Sequence, residues 1–264
     1  MKSLQQIITP IAAEMRQFKA FFAQTLKADT EPMDGIMRYV LDSRGKRLRP
    51  ILVLVSAKLF GEINEQTLRA ATFAEMIHSA TIIHDDVVDG DDRRRGQASV
   101  KARFGNLSAV LAGDYLLAKA MLLLARPDDH AILGEMLGTT MAMSEGELMQ
   151  SIVVDCVPQS EKTTQHLDII TRKTAMLMRS CCVAGALSVG ATPEQVQQIA
   201  DFGLHFGILF QLRDDLLDGE NTEMAQALLP TYLNKTLKAL EGFPPTETLQ
   251  ALRELTTFCA EREG

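Results

Sequence analysis

The chain has 264 residues, of which 46% are hydrophobic and 23% are charged. This composition is typical of a soluble globular protein and excludes wholesale disorder. The 27 basic and 34 acidic residues give a net charge of −7, which is evidence against general nucleic-acid binding because that function needs a basic surface.

We expect neither a targeting segment nor a membrane span. The first six residues lack the apolar core of a signal peptide. The most apolar stretch, residues 109–125, contains Asp114 and Lys119, which predicts a buried helix rather than a span. The four cysteines, two of them the adjacent Cys181 and Cys182, suit neither a disulfide framework nor a zinc motif. A reducing cytoplasm is the expected location.

Apolar residues recur at helical spacing along most of the chain, for example over residues 51–60 and 73–80. The pattern is interrupted near residues 42–45, 93–96, 126–129, 156–158, 191–193 and 243–245. Helices of about 15 to 25 residues joined by short polar loops predict an all-α bundle. Because no linker or change of composition divides the chain, we predict one domain spanning residues 1–264.

Two acidic clusters with the same spacing each follow an apolar helix. They are Asp85-Asp86-Val87-Val88-Asp89 and Asp214-Asp215-Leu216-Leu217-Asp218. Residues four apart share a helix face, so the outer carboxylates of each cluster repel each other. A hard cation such as Mg²⁺ relieves that repulsion, and it typically binds one or two carboxylates together with substrate phosphates. A single cluster is more often a solvated helix end, but two copies predict a shared metal site.

Basic residues accompany the first cluster. Gly45-Lys46-Arg47-Leu48-Arg49-Pro50 precedes it, and Arg93-Arg94-Arg95-Gly96 follows it. A basic run by itself is usually a solvated surface. Beside a carboxylate–magnesium site, however, arginine and lysine supply the charge that a diphosphate must meet on several sides. We therefore expect a diphosphate substrate.

A metal-dependent phosphohydrolase with a His…His-Asp…Asp site is a minor alternative. His78 and the pair His84-Asp85 supply the residue types. The two histidines are six apart, which places them on opposite helix faces, and the second acidic cluster would have no role. His166 and His205 have no evident partner in the sequence.

Taken together, these segments resemble the trans-polyprenyl diphosphate synthase family over residues 35–220. The segment from Gly45 to Pro50 is similar to the family's GK-x-x-RP motif, and Asp85–Asp89 with the following Arg94-Arg95-Gly96 is similar to its first aspartate-rich motif. Lys173-Thr174 resembles its KT motif, and residues 210–218 (FQLRDDLLD) resemble its FQxxDDxxD motif. The resemblance implies an all-α, single-domain helical bundle around a central substrate cavity.

The resemblance also implies a reaction and a role for each site residue. Isopentenyl diphosphate condenses with geranyl or farnesyl diphosphate by ionisation, condensation and proton elimination, and a longer all-trans polyprenyl diphosphate results. Asp85 and Asp89 hold two Mg²⁺ ions and Asp214 holds a third, while Asp86, Asp215 and Asp218 act mainly through water. The remaining residues bind substrate: Arg94, Lys173, Thr174 and Gln211 for the allylic diphosphate, and Lys46, Arg49, His78 and Arg95 for isopentenyl diphosphate.

Product length is expected to follow the depth of a pocket upstream of Asp85. The small Ala80, with Thr81, Ile77 and Ala74, leaves room for a growing chain, and Phe73 lies deeper as a candidate floor. This arrangement favours a product of C20 or longer, although Ala80 equally suits close helix packing. By resemblance, the enzyme is a cytoplasmic homodimer that touches a membrane only to release product.

The resemblance fails after Asp218. The family's lysine-containing loop is absent, and the chain continues as Gly219-Glu220-Asn221-Thr222. Residues 232–240 resemble a late family helix, so several tens of residues are missing between them. The shortening leaves open a partner-dependent or non-catalytic subunit of a hetero-oligomer. A terpene cyclase ranks lower, because it would carry an Asn/Ser/Glu metal triad at residues 214–218.

Overall fold

The computed structural model describes residues 2–43, 45–94, 96–153 and 161–262, and in these residues the predicted all-α architecture is confirmed. A two-residue antiparallel hairpin pairs β1 (Arg93–Arg94) with β2 (Gln97–Ala98). The helices are α1 (Leu4–Ile7), α2 (Ala12–Leu26), α3 (Glu31–Asp42), α4 (Leu48–Phe60), α5 (Glu65–Val88), α6 (Val100–Phe104), α7 (Asn106–Leu124), α8 (His130–Val153), α9 (Lys162–Ile170), α10 (Met176–Ser188), α11 (Pro193–Asp218), α12 (Thr222–Lys238) and α13 (Glu247–Glu261).

Short irregular turns complete the helical path. Single 3₁₀ turns cover Thr9–Ile11 and Pro127–Asp129. Between α9 and α10 the helix continues without a loop through Thr171–Ala175, which has π-helical hydrogen bonding; we call this segment the π turn. Five of the six predicted interruptions fall at helix ends or loops, and the sixth, residues 156–158, lies outside the described residues.

Local sequence signals account for the two helices that carry the acidic clusters. Asn64 caps the start of α5, and Thr192 caps the start of α11 in a reciprocal pair with Gln195. Pro193 occupies the first turn of α11, where its missing N–H costs no helical hydrogen bond. Gly219 ends α11 at φ 76°, a conformation that glycine adopts at little cost. Both acidic clusters therefore lie at carboxyl-terminal helix ends.

The core is built around α4, α5, α10 and α11. Every residue of α4 from Pro50 to Ala57 is buried, and α10 is buried nearly as completely. Helices that are apolar on all sides belong at the centre of a bundle, since no face remains for solvent. Helix α10 packs against α4, α8 and α11, whereas α5 packs against α4 and α7.

Helix α7 differs from its prediction. Only one of its faces is buried, through Ala109, Ala112, Gly113, Leu116, Ala120 and Leu124. The other face exposes apolar side chains, among them Leu107 at 74% and Leu122 at 75%. Within the described ranges, α7 is the single helix whose length and composition suit a membrane span, and 33% of that stretch is buried. The prediction of a buried helix is therefore wrong for half of its surface.

Two glycines allow the π turn to lie close against its neighbours. A Cβ added at Gly207 of α11 would stand 2.5 Å from the Ala175 Cα, and one added at Gly146 of α8 would stand 2.7 Å from the Lys173 backbone nitrogen. No side chain larger than hydrogen fits either approach, because backbone atoms cannot move aside as a side chain can. The π turn is thus held between α8 and α11.

Replacement of Gly207 should destabilise the fold. We expect Gly207→Ala to lower the free energy of unfolding by about 1–3 kcal/mol, because the added methyl group forces α11 away from Ala175. The matched control is Gly138→Ala on α8, where the new Cβ meets open space and helix propensity should raise stability by up to about 1 kcal/mol. Urea denaturation measures both, and equal effects at the two positions would contradict the close approach.

Candidate active site

The first acidic cluster divides into one structural and two available carboxylates. Asp86 is buried and accepts hydrogen bonds from Arg94, at 2.8 Å from Nε and 2.7 Å from a terminal nitrogen. This pair ties the end of α5 to the β hairpin. Asp85 is half-buried, and Asp89 is exposed at the carboxyl end of the helix. Asp85 and Asp89 are therefore the members of this cluster that can bind a cation directly.

The environment of Asp85 favours a cation. Burial raises the pKa of its carboxyl to about 6, and the negative charges of Glu147 and Asp89 add to the effect, while Lys173 and Arg94 oppose it. Glu147 lies on α8 and pairs with the Lys173 ammonium at 2.6 Å. Lys173 also donates to Gln150 at 3.0 Å. The π turn thus brings Lys173 into the field of the first cluster.

The second acidic cluster is also partly engaged with protein groups. Asp214 pairs with Arg262 at the end of α13, and burial raises the pKa of the Asp214 carboxyl although Arg262 opposes this. Asp215 is buried and accepts from His166 at 2.7 Å and from the Gln211 amide at 3.0 Å. Asp218 is exposed at the end of α11.

The π turn connects the two clusters. Thr174 donates to the Gln211 side-chain oxygen at 3.0 Å, while its neighbour Lys173 faces Glu147. Beside the π turn lies a cavity of about 350 Å³ lined by Lys173, Thr174, Gln211, Asp215 and His166, among others. The sequence motifs that hold Lys173 and Gln211, distant along the chain, therefore meet at one place.

A second cavity, of about 440 Å³, gathers the basic residues upstream of α4. Lys46, Arg49 and His78 line it, together with Phe210 and Arg262. Arg47 belongs to the same motif but has a different role: it ion-pairs with Glu75 and donates to the Leu41 carbonyl. Three of the four residues assigned to isopentenyl diphosphate thus share one cavity; the fourth, Arg95, lies outside the described residues.

The residues assigned to product length lie on α5 within the core. Phe73, Ala74, Ile77 and Ala80 are fully buried, and the half-buried Thr81 donates to the His78 carbonyl at 3.0 Å. His84, on the same helix, turns towards α7 and donates from Nε2 to the Val110 carbonyl at 3.1 Å. His84 and His78 therefore do not face a common metal, which removes the basis of the phosphohydrolase alternative.

The donor set suits Mg²⁺ bound with substrate rather than alone. In the part of the chain that the structure describes, no three acidic, histidine or cysteine side chains converge on a ready-made metal site. The metal site shared by the two clusters stays a prediction. The crowded charge around Asp85 nonetheless fits an oxygen-binding cation, and Mg²⁺ commonly completes its octahedron with substrate phosphates and water.

Sequence reasoning missed three participants. Arg262 lies 48 residues from Asp214, and a lone arginine near the end of an amphipathic helix carries no motif. No motif singles out Glu147 on α8, and the sequence offers no evident partner for His166. Only tertiary packing places these side chains against the acidic clusters, so no local pattern identifies them.

A helical bundle with paired acidic helix ends and two basic-lined cavities is the architecture of a prenyltransferase. The family model described as polyprenyl synthetase matches residues 30–226. An octaprenyl diphosphate synthase of Haemophilus influenzae is 34% identical over 95% of this chain and 73% of its own length. An all-trans-nonaprenyl-diphosphate synthase of Rhodobacter capsulatus is also 34% identical, over 81% of this chain and 65% of its own length.

Solved structures agree with the sequence relatives. The chain superposes on a polyprenyl synthase from Caulobacter crescentus, complexed with calcium and isoprenyl diphosphate, with a TM-score of 0.90 and 25% identity over 99% of this chain and 98% of that one. The protein belongs to the polyprenyl synthetase family and is a trans-prenyltransferase. It spans between 56% and 73% of the length of the curated relatives it matches.

The raised pKa of Asp85 predicts a stability cost. A carboxyl whose pKa rises from 3.8 to about 6 on folding does not lower the free energy of unfolding while it is protonated. The destabilisation grows between about pH 4 and 6, as the carboxyl ionises, and is complete above pH 6. Asp85→Asn should therefore raise the Tm of the metal-free protein by about 2 to 4 °C at pH 8, and the gain should shrink as the pH falls towards 4. Thermal denaturation in a chelator measures it, with the exposed Asp29→Asn as control. An unchanged Tm at pH 8 would show that Asp85 is well solvated.

Proposed function

We propose that this protein condenses isopentenyl diphosphate with geranyl or farnesyl diphosphate to form a longer all-trans polyprenyl diphosphate. One observation carries the proposal: the π turn directs Lys173 towards the first acidic cluster and Thr174 towards the second. An allylic diphosphate placed there would meet carboxylates, an ammonium and the half-buried Arg94 together. This is the charge pattern required to bind a diphosphate through divalent cations.

The two basic-lined regions divide the substrates between them. Asp85, Asp89 and Asp214 would hold Mg²⁺, three ions by the family resemblance, and the metal supplies neutralisation of the diphosphate leaving group. Lys173 and Arg94 meet the remaining negative charge of that group. Lys46, Arg49 and His78 bind the diphosphate of isopentenyl diphosphate in the neighbouring cavity. Two substrates held side by side react as if at very high local concentration.

The reaction steps that follow substrate binding need few further side chains. Ionisation leaves an allylic cation, and the double bond of isopentenyl diphosphate attacks it to form the new carbon–carbon bond. Loss of a proton, for which the released diphosphate is the available base, completes the step. The apolar core of α5 and α10 around the site excludes water, which would otherwise quench the cation.

We also propose a product of C20 or longer, made by one cytoplasmic domain that acts as a homodimer. Ala80 and Ala74 are small residues on α5, one and three turns before Asp85, so they offer little obstruction to a growing chain. The exposed apolar face of α7 supports dimerisation, since an apolar patch of this kind is buried in most assembled proteins. It is also a surface through which an apolar product reaches a membrane.

A partner-dependent subunit remains the second candidate. No lysine or arginine occurs between Gly219 and Asn234, where the family's lysine loop would lie. Glu220 and Asn221 border the cavity beside the π turn in its place. Two relatives at 34–35% identity are named as component 2 of a heptaprenyl diphosphate synthase. The retained Asp85 and Asp214 favour a catalytic subunit in either case.

Incubation with labelled isopentenyl diphosphate, farnesyl diphosphate and Mg²⁺ tests the proposal. We expect a metal-dependent series of longer prenols after dephosphorylation and chromatography. Asp85→Ala should abolish it while helicity by circular dichroism is unchanged, because the leaving group loses its metal. Turnover by Asp85→Ala would refute the metal assignment. Product formation only after a second subunit is added would favour the partner-dependent candidate.

Product length should respond to Ala80. We expect Ala80→Phe to shorten the longest prenol, because the aromatic ring fills space one turn upstream of Asp85. Ala131→Phe, exposed at the far end of α8 from Glu147, serves as the control and should leave the products unchanged. Chromatography of the products gives the answer, with Tm confirming that both variants fold. An unchanged product from folded Ala80→Phe would exclude Ala80 from the pocket.

A further inference from the structure

His166 on α9 is anchored to the second acidic cluster. Its Nε2 donates to Asp215 Oδ2 at 2.7 Å, and the Asp215 side chain is only 4% exposed. Because a carboxylate oxygen accepts, the hydrogen bond fixes the proton on Nε2 and hence the tautomer of the ring. A buried carboxylate needs such partners, since it is otherwise costly to remove from water.

The hydrogen bond belongs to a chain of four side chains. The other Asp215 oxygen accepts from the Gln211 amide at 3.0 Å, and the Gln211 oxygen accepts from the Thr174 hydroxyl at 3.0 Å. The chain therefore joins α9, α11 and the π turn. Each Asp215 oxygen accepts one of these hydrogen bonds, so Asp215 links His166 on α9 to Gln211 on α11.

The π turn is the segment that most needs this link. A π-helical turn is rare within helices, and such turns occur frequently at functional sites. Gly146 and Gly207 confine it sterically, but their contacts are with its backbone. The polar chain ending at Thr174 acts on its side chains, one residue from Lys173. Without it, the direction of Lys173 would depend on its own contacts with Glu147 and Gln150.

We infer that His166 is a positioning residue which, through Asp215, Gln211 and Thr174, holds the π turn so that Lys173 meets the allylic diphosphate. The inference rests on the proposed function, and it adds a residue whose role no motif indicates. His166 itself touches no reacting atom. Its loss should therefore weaken the allylic subsite and leave the cavity of Lys46, Arg49 and His78 unaffected.

Two substitutions at His166 separate positioning from simple packing. His166→Phe keeps a ring of similar size without the donor, whereas His166→Gln can still donate to Asp215. The matched control is His205→Phe on α11, a half-buried histidine whose ring lies against Tyr232, away from both acidic clusters. Steady-state kinetics for each substrate and calorimetric titration of inorganic diphosphate with Mg²⁺ are measured for all variants.

We expect His166→Phe to lower kcat/KM for the allylic diphosphate about 10- to 100-fold, the usual loss when a residue that orients a metal-site group is removed. The KM for isopentenyl diphosphate should stay within about twofold, and the affinity for inorganic diphosphate should fall with the allylic kcat/KM. His166→Gln should recover most of both losses. His205→Phe should match the wild type. Amide hydrogen exchange of residues 171–175 should accelerate in His166→Phe alone.

Other outcomes would overturn the inference. If His166→Phe equals the wild type, or if both substrates lose affinity equally while His166→Gln gives no recovery, then His166 contributes packing only. A wild-type protein that neither elongates farnesyl diphosphate nor binds diphosphate would instead refute the proposed function. In that case hydrogen exchange, which needs no substrate, still decides whether His166 holds the π turn.

Discussion

The site depends on the confinement of the π turn between two helices. Gly146 on α8 and Gly207 on α11 bring backbone within contact of Thr171–Ala175 from both sides, and neither position accepts a Cβ without displacement. Because the turn is held there, Lys173 pairs with Glu147 in the field of Asp85. Thr174 donates to Gln211, which in turn donates to Asp215. A widened helical turn, unfavourable by itself, thus becomes the bridge between two distant motifs.

The six aspartates of the two acidic clusters fall into two groups: some are paired with protein side chains, and the others are available to a cation. Asp86 is committed to Arg94 and Asp215 to His166 and Gln211, so these two carboxylates hold secondary-structure elements together. Asp214 pairs with Arg262, which balances part of its negative charge. Burial is the main cause of the raised pKa of the Asp85 carboxyl, and Glu147 and Asp89 add an excess of negative charge around it. Binding of a cation and a diphosphate together resolves that excess, whereas either alone leaves charge unbalanced.

Much of the fold follows from local patterns. The helical period, the caps at Thr192 and Pro193 and most of the chain's interruptions were predictable because they depend on neighbouring residues only. The exposure of one apolar face of α7 was not predictable, since a buried helix and a helix with one exposed apolar face have the same composition. The partner of Arg47 in the basic motif was equally hidden, because Glu75 belongs to α5, which is distant along the chain.

The sequence by itself determined the helical class, the location of the carboxylates at helix ends and the family, because helical period and motif spacing are properties of short segments. Tertiary structure alone decided which carboxylates are available, which arginine pairs with which acid, and that His166, Glu147 and Arg262 belong to the site. His166 lies 49 residues from Asp215, and Arg262 lies 48 residues from Asp214. Glu147 lies 26 residues from Lys173 and 62 residues from Asp85. Their meeting is set by the close packing of α5, α8, α9, α11 and α13, and no local pattern encodes that packing.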